Sequence, residues 1–387
     1  MSWLFSDSKK DTTKTFWRID SASVSVTVVT VETGVVLYYK VQPIELFFLD
    51  ERHQYDQLIH HIEGLMYKMI KELYYSIPTP SEYAVVVLGE PWAHTIKRQI
   101  SYKRKVPFKL TKTVVKDLID RDIKRLTQEY TTRMKSPIEL MTPTYHELLI
   151  GGHAIQNPWG TMVTDVRFEY TTGFSDNRLT DSITAIIHEK MKIRLLHIHI
   201  DHYLNYVMRF WRTLSITNGM VINPSGLVTD ISVFQQATLS QSGTLPLGLL
   251  GIRRELATLM NIDTDELKVL LSLFHKNILD QVTKDRLYKN MNYVYQKWEK
   301  DFQKFSSNAV VHGDIIDQVI WMGDSDDVVL VYFMHRLREN TLAFPLIFGS
   351  THVGFSHCDT ILETAGTLFK EMQSDDHIML LASGLVQ

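Results

Sequence analysis

The sequence predicts an α/β fold built from two lobes, and three observations support this prediction. The chain is 387 residues long, which suggests two or three compact units, each with its own core. Short runs with strand-like alternation of apolar residues recur in both halves of the chain. Segments with apolar residues at helical spacing follow these runs, and this order of strands and helices is typical of α/β lobes.

The composition limits the class of protein. Hydrophobic residues make up 44% of the chain and charged residues 22%, and the net charge of −3 does not indicate nucleic acid or a strongly acidic partner. The one cysteine, Cys358, cannot form an internal disulfide, which fits a reducing cytosol. The sequence contains neither an apolar run that spans a membrane nor a signal-peptide core at its N-terminus. We therefore expect a soluble cytoplasmic protein.

The first half of the chain predicts a lobe followed by a more polar module. Apolar periodicity predicts a β-hairpin within 16–41, a helix over 55–75 and a buried strand over 83–88. The basic stretch 96–109 is expected to form a solvated hairpin rather than a nucleic-acid site, because the chain as a whole is not basic. The further predictions are helices over 114–130 and 179–191, and strands over 138–141, 163–170 and 194–202.

The stretch 219–268 contains the strongest functional signal. Val and Ile alternate in 220–222 and again in 228–234, and the turn between the two runs consists mainly of small residues. A further strand, 237–240, leads through a glycine-containing turn to a helix that begins near Ile252. A strand end, a glycine turn and a helix N-terminus together form a place where a phosphate can bind.

This order resembles the second phosphate-binding segment of the actin-like ATPases, and it is most similar to the bacterial division protein FtsA and its relative, the pilus protein PilM. The positions that match the family pattern are Gly226, Thr229, Asp230, Gly248, Glu266 and Lys268. The positions that depart from it are Asn223, Pro224, Ser225, Leu227 and Leu249, where the family has an aspartate or glycines. Pro224 has no N–H to donate, and Asn223 adds no negative charge to hold a divalent ion. The resemblance therefore implies weak binding of ATP and magnesium, or none.

Two more segments resemble nucleotide loops of the family. Residues 20–23 keep the aspartate and a serine of the first phosphate loop, with Ala22 in place of a glycine, although a hairpin without a ligand explains this segment equally well. Gly323 and Ser325 match part of the adenosine loop. The candidate nucleotide-binding residues implied by the resemblance are Asp20, Ser21, Ser23, Ser225, Gly226, Thr229, Asp230, Gly248, Glu266, Lys268, Gly323 and Ser325. Asp20 and Asp230 are the carboxylates that would hold magnesium through the nucleotide.

The resemblance also implies an actin-like (ribonuclease H-like) two-lobe fold with an FtsA-type inserted subdomain. Asn157, Pro158 and Gly160 match a turn of that subdomain. The expected division is a first lobe from 1–99 and 190–215, an inserted α+β subdomain at 100–189, and a second lobe at 216–387 with a helical subdomain at about 252–310.

These features favour a scaffold over an enzyme. The leading hypothesis is an FtsA-like role in cell division, in which the second lobe binds the tail of an FtsZ-type filament protein. The alternative is a PilM-like cytoplasmic platform for type IV pilus assembly, favoured because the chain ends without the amphipathic membrane helix common in FtsA. An ATPase or kinase of the same fold is the third hypothesis, but it would need the groups that Asn223, Pro224 and Leu227 replace. We also expect self-association, and attachment to the inner face of the membrane only through a partner.

A histidine cluster offers a different type of site. His197 and His199 would share one face of a strand, whereas Asp201 and His202 fall at its end and need not converge with them. No cysteine or Glu-x-x-His partner lies nearby, so zinc is the minor alternative.

Overall fold

The computed structural model describes residues 13–44, 54–77, 81, 83–134, 136–155, 157–191, 197–312, 316–323, 327–340, 354–357 and 373–383. The strands are β1 (Thr13–Ile19), β2 (Ser23–Thr30), β3 (Val36–Pro43), β4 (Tyr83–Leu88), β5 (His94–Lys109), β6 (Ile138–Leu140), β7 (Thr144–Ile150), β8 (His153–Ala154), β9 (Met162–Asp176), β10 (His197–His202), β11 (Gly219–Pro224), β12 (Thr229–Gln235), β13 (Thr238–Leu245), β14 (Gln318–Trp321) and β15 (Gly354–His357). The helices are α1 (Gln54–Ser76), α2 (Lys112–Met134), α3 (Asn177–Met191), α4 (Tyr203–Thr213), α5 (Leu249–Met260), α6 (Thr264–His275), α7 (Gln281–His312), α8 (Val328–Glu339) and α9 (Ser374–Ala382).

The chain divides into two compact units, each made from two chain segments. The first unit comprises Met1–Ile19 and Leu46–Asn205, and the second comprises Asp20–Glu45 and Tyr206–Gln387. Among the helices that the structure describes, none combines the length and the apolar character needed to cross a bilayer.

In the first unit, β4 lies between two parallel neighbours, β1 and β10. The near-continuous apolar sequence of β4 fits this position, because both faces of a parallel strand are usually covered. Val86 and Leu88 are fully buried. Helix α1 packs against α3 and buries a stripe that includes Ile62, Met66 and Met69. The predicted helix over 55–75 and strand over 83–88 are therefore confirmed.

Between β4 and β10 the chain forms a second sheet with the order β5-β9-β7-β8, and β6 also pairs with β9. The prediction of a hairpin at 96–109 is wrong, because this segment is one 16-residue strand, β5, that pairs with β9. Ile100 and Tyr102 pack against the core formed with α2. These apolar contacts hold the strand on the sheet, while most of the basic residues remain exposed.

A buried carboxylate connects α2 to this sheet. Arg98 donates two hydrogen bonds to Asp122, at 3.1 and 2.9 Å, and the Tyr170 hydroxyl donates a third at 2.8 Å. Burial disfavours the ionised carboxylate, but the hydrogen bonds from Arg98 and Tyr170 outweigh it and keep the pKa of Asp122 below its ordinary value. The charge of Arg98 is thus already neutralised by Asp122 of α2.

The second unit contains a mixed sheet with the order β13-β12-β11-β14-β15 and the antiparallel hairpin β2–β3. Helices α5 to α8 pack over the mixed sheet, and the largest buried side chains of their common core are Trp298, Trp321 and Phe333. The strand–turn–strand–helix order predicted for 219–260 is confirmed, although β13 is longer and α5 begins earlier than predicted.

The last described helix, α9, fixes the hairpin β2–β3. Its Asp376 is fully buried, and it accepts hydrogen bonds from the Ser25 hydroxyl at 2.6 Å and the Tyr39 hydroxyl at 3.0 Å. Ser25 lies on β2 and Tyr39 on β3, so one carboxylate joins the two strands to α9. This contact holds β2, the strand that follows the loop 20–22, against α9.

Candidate nucleotide site

In the first candidate phosphate loop, 20–22, the carboxylate of Asp20 is bound by backbone N–H groups close to it in sequence. The Asp20 Oδ1 atom accepts hydrogen bonds from the backbone N–H of Ala22 at 2.5 Å and of Ser23 at 2.7 Å. The Asp20 N–H in turn donates to the Ser23 carbonyl at 3.1 Å. Asp20 is buried and caps this turn, so it is oriented toward the loop itself.

The second candidate loop, 225–228, connects β11 to β12. The Ser225 hydroxyl donates to the Val228 carbonyl at 3.0 Å, which closes the loop across its ends. Pro224 and Thr229 are the last pair of the β11–β12 ladder. The departures from the family pattern at Pro224 and Ser225 thus form part of a short, self-bonded turn.

The two loops are in direct contact. The Ser21 hydroxyl accepts a hydrogen bond from the Leu227 N–H at 2.7 Å and lies 3.2 Å from the Ser225 hydroxyl. A Cβ added to Gly226 would lie closer than 3.0 Å to three backbone atoms of Ser21 and Ala22. The two loops, between which the sequence predicts the nucleotide phosphates, therefore touch each other at these residues.

The backbone N–H groups at the N-terminus of α5 are also hydrogen-bonded to the protein itself. Gly248 donates its N–H to the Leu227 carbonyl at 3.0 Å, Leu249 to Ser225 at 2.7 Å and Leu250 to Gly226 at 2.8 Å. A helix N-terminus attracts anions through unsatisfied N–H groups. Since three of these groups already bind the loop 225–228, the residues present do not fit a phosphate in this arrangement.

Thr229 and Asp230 lie at the start of β12 and have separate roles. Thr229 is fully buried, donates to the Leu247 carbonyl at 2.7 Å and accepts a bond from the Trp298 indole at 3.2 Å. It therefore ties β12 to α7. Asp230 accepts a hydrogen bond from the Thr244 hydroxyl at 3.2 Å and lies opposite Asn223 in the ladder.

The remaining candidates make local contacts. Glu266 completes the capping box of α6, in which its carboxylate accepts from the Asp263 N–H and its own N–H donates to the Asp263 carboxylate. Lys268 forms an exposed ion pair with Asp265 at 2.8 Å. Gly323 has a φ of 105°, which favours glycine. Ser325 lies outside the described residues.

One important pair in this region was not predicted. Asp327 caps α8 by accepting from the N–H groups of Val329 at 2.9 Å and Leu330 at 3.1 Å, and it also forms an ion pair with Arg253 of α5. Its side chain is only 6% exposed. An aspartate before an apolar helical run is a recognisable capping signal, but its pairing with Arg253 depends on how α5 and α8 pack.

The histidine segment shows a hydrogen-bonded aspartate. Asp201 accepts bonds from the His202 N–H at 2.8 Å and the Asn205 side chain at 2.6 Å, and its other oxygen lies 3.9 Å from His199. Burial disfavours ionised Asp201, but its contacts with His199, His202 and Asn205 outweigh this and lower the pKa of its carboxyl. The residues that the structure describes include no group of three or more potential metal ligands.

The second unit also contains a cleft of about 580 Å³ between α6, α7 and α8. Its walls include Phe274, Tyr288 and Tyr332, and the ring centroids of successive members of this trio lie 5.1 and 6.1 Å apart. Arg336 and Glu339, an ion pair at 2.8 Å, also line it. Aromatic walls with a few charged groups are typical of binding clefts.

Comparisons with known proteins define the fold. No family model matches the sequence, and no curated protein matches it either. A solved structure of a PilM–PilN type IV pilus biogenesis complex is similar with a TM-score of 0.62 and 11% identity, over 96% of this chain and 98% of that chain. The ethanolamine utilization protein EutJ from Carboxydothermus hydrogenoformans gives a TM-score of 0.42 and 10% identity, over 89% of this chain and 84% of that chain.

A Bacteroides thetaiotaomicron protein described as having an actin-like ATPase fold and unknown function gives a TM-score of 0.39 and 9% identity, over 96% of this chain and 97% of that chain. On the likeness to the PilM–PilN structure, with its TM-score of 0.62, the chain has the actin-like ATPase fold that the sequence predicted. At these identities the likeness concerns the fold alone.

We expect the purified protein to bind ATP with magnesium more weakly than about 100 µM and to hydrolyse none of it. A nucleotide would have to displace the bonds from Leu227, Leu249 and Leu250, each worth about 1 kcal/mol net, and a micromolar site would lose roughly tenfold for each 1.4 kcal/mol. Calorimetric titration and a phosphate-release assay measure both quantities. Turnover that disappears in Asp230→Ala would contradict this prediction.

Proposed function

We propose that this protein is a non-hydrolysing actin-fold platform that works by binding another protein. The observation that supports this proposal is that the groups expected to hold phosphate bind one another instead, through Ser21, Leu227 and the N-terminus of α5. Catalysis of phosphoryl transfer needs donors already oriented toward the charge of the transition state. Here those donors are oriented toward the protein's own carbonyl and hydroxyl oxygens.

The proposed partner belongs to the class of type IV pilus assembly proteins. The support is the likeness to PilM in the PilM–PilN complex, which extends over nearly the whole of both chains. This favours the pilus-type alternative over the division role and its FtsZ-type tail. In this proposal the platform works in the cytoplasm and reaches the membrane through its partner.

We assign a short apolar segment of the partner to the cleft between α6, α7 and α8. Tyr288 is 46% exposed beside the ring of Tyr332, so apolar side chains that cover both rings would gain buried area. Arg336 and Glu339 provide charges of both signs for the peptide's polar groups. Large aromatic side chains in such clefts commonly dominate the binding energy.

The test is a calorimetric titration with cytoplasmic peptides of the PilN-type protein and of the FtsZ-type tail from the same organism. We expect the PilN-type peptide to bind, with an affinity that is the same with and without magnesium ATP because the loops are already closed. Binding that requires ATP would contradict the platform proposal. Binding of the FtsZ-type tail alone would contradict the partner class.

A pair of variants tests the cleft separately. Tyr288→Ala with Tyr332→Ala should weaken peptide binding at least tenfold, because the two rings are neighbouring aromatic side chains in the wall of the cleft. Tyr293→Ala is the matched control, since Tyr293 is 52% exposed on α7 and does not line the cleft. Equal affinities for both variants would mean that the peptide binds outside the cleft. The platform proposal itself does not depend on the cleft.

A further inference from the structure

The sheet β5-β9-β7-β8 ends in an exposed surface that combines positive charge with apolar side chains. We call this surface the basic tip. Its cationic members are Lys103, Arg104, Lys105, Lys109 and Lys112, and its apolar members are Val106, Trp159 and Met162. Val106 is 71% exposed and Met162 is 61% exposed, and both lie at the same end of the sheet as the cations.

The backbone brings these residues to one end of the sheet. Lys109 pairs with Met162 in the β5–β9 ladder, and the Leu110 N–H donates to the Thr161 carbonyl at 2.9 Å. The Lys112 ammonium lies 5.9 Å from the centre of the Trp159 ring. The turn that contains Trp159 is thus adjacent to the end of β5 and the start of α2.

A bulge makes part of the tip protrude. Lys103 pairs with Asp165 and Phe108 pairs with Val163, so residues 104–107 of β5 face a single residue of β9, Thr164. Such extra residues are displaced from the ladder. Arg104, Lys105 and Val106 are consequently among the exposed residues of this sheet.

The charge of the tip is only partly balanced locally, because Asp165 lies opposite Lys103 in the β5–β9 ladder. The sequence has no Asp or Glu from 91 to 116, although the whole chain is slightly acidic. Lys97 and Arg98, earlier on β5, are paired with Glu169 and Asp122. No ion pair of this kind neutralises Arg104 or Lys105 among the described residues.

We propose that the basic tip binds the surface of a membrane that contains anionic lipids. Lysine and arginine side chains at such a surface each strengthen binding about fivefold, and an indole ring is favoured at the interface between headgroups and acyl chains. Exposed Val106 and Met162 favour a lipid surface over nucleic acid, because they have no role against a phosphate backbone. This contact is a direct one that adds to the recruitment through the partner proposed above and does not require that partner.

The test is flotation of the full-length protein with vesicles of phosphatidylcholine alone or mixed with phosphatidylglycerol. We expect binding to the mixed vesicles that falls as salt rises, and none to phosphatidylcholine. The variant K103E/R104E/K105E should lower the vesicle partition coefficient at least about 100-fold, since three favourable charges become repulsive. Val106→Ser should also lower it, because this change removes apolar area and leaves the charge unchanged, which a purely electrostatic contact would not require.

The control is K276E/K289E/K300E, which makes the same change in net charge at exposed positions of the second unit. It should keep its affinity for the mixed vesicles. Equal loss in both triple variants, equal binding to both vesicle types, or binding to duplex DNA in place of mixed vesicles would each overturn the proposal. Unchanged melting temperatures exclude misfolding as the cause of a loss.

Discussion

Replacing Gly226 with alanine is expected to destabilise the second unit by about 3 kcal/mol. The added Cβ would lie closer than 3.0 Å to the Ser21 carbonyl group and the Ala22 nitrogen. All of these are backbone atoms, so no side chain can rotate away to make room. The substitution must separate the two loops and break the bond between the Leu227 N–H and the Ser21 hydroxyl.

Calorimetric melting of the full chain measures this effect. The matched control is Gly64→Ala, because Gly64 lies within α1 and no atom approaches its added Cβ within 4 Å. That substitution should stabilise the protein by about 0.5–1 kcal/mol, since alanine favours the helix interior. A melting temperature for Gly226→Ala equal to that of the wild type would mean that the loops are apart in solution, and the argument for a non-hydrolysing platform would then lose its basis.

The local spacing of apolar residues was enough to predict the strands and the helix that form the candidate site. Alternating valines and isoleucines predicted β11 and β12, and apolar residues at helical spacing predicted α5, because these signals depend only on near neighbours in sequence. The capping role of Glu266 was also readable, since Asp263 and Glu266 have the spacing of a capping box. The resemblance instead suggested a nucleotide role for Glu266, and the structure shows its carboxylate bonded to the Asp263 N–H.

The closure of the site could not be predicted in this way. The bond between Ser21 and Leu227 joins residues 206 positions apart, and no periodicity in either loop specifies that contact. The prediction of a hairpin at 96–109 was wrong for a related reason. Its charges indicated a solvated hairpin, whereas its strand conformation is fixed by pairing with β9, 53 or more positions further along the chain.

Asp327 gives the second large expected effect. Asp327→Ala should cost the second unit about 2–3 kcal/mol, because it removes the cap of α8 and leaves the half-buried Arg253 without its buried carboxylate partner. The control is Asp263→Ala, which removes the exposed cap of α6 and should cost only about 1 kcal/mol.

The double variant Asp327→Ala with Arg253→Leu separates the two causes. An apolar side chain in place of Arg253 removes the half-buried, unpaired charge, so the double variant should be more stable than Asp327→Ala by about 1 kcal/mol and should retain only the loss of the cap. Urea unfolding of all four proteins measures these differences. If the double variant is no more stable than Asp327→Ala, the ion pair contributes little and the cap alone explains why Asp327 occupies this position between α5 and α8.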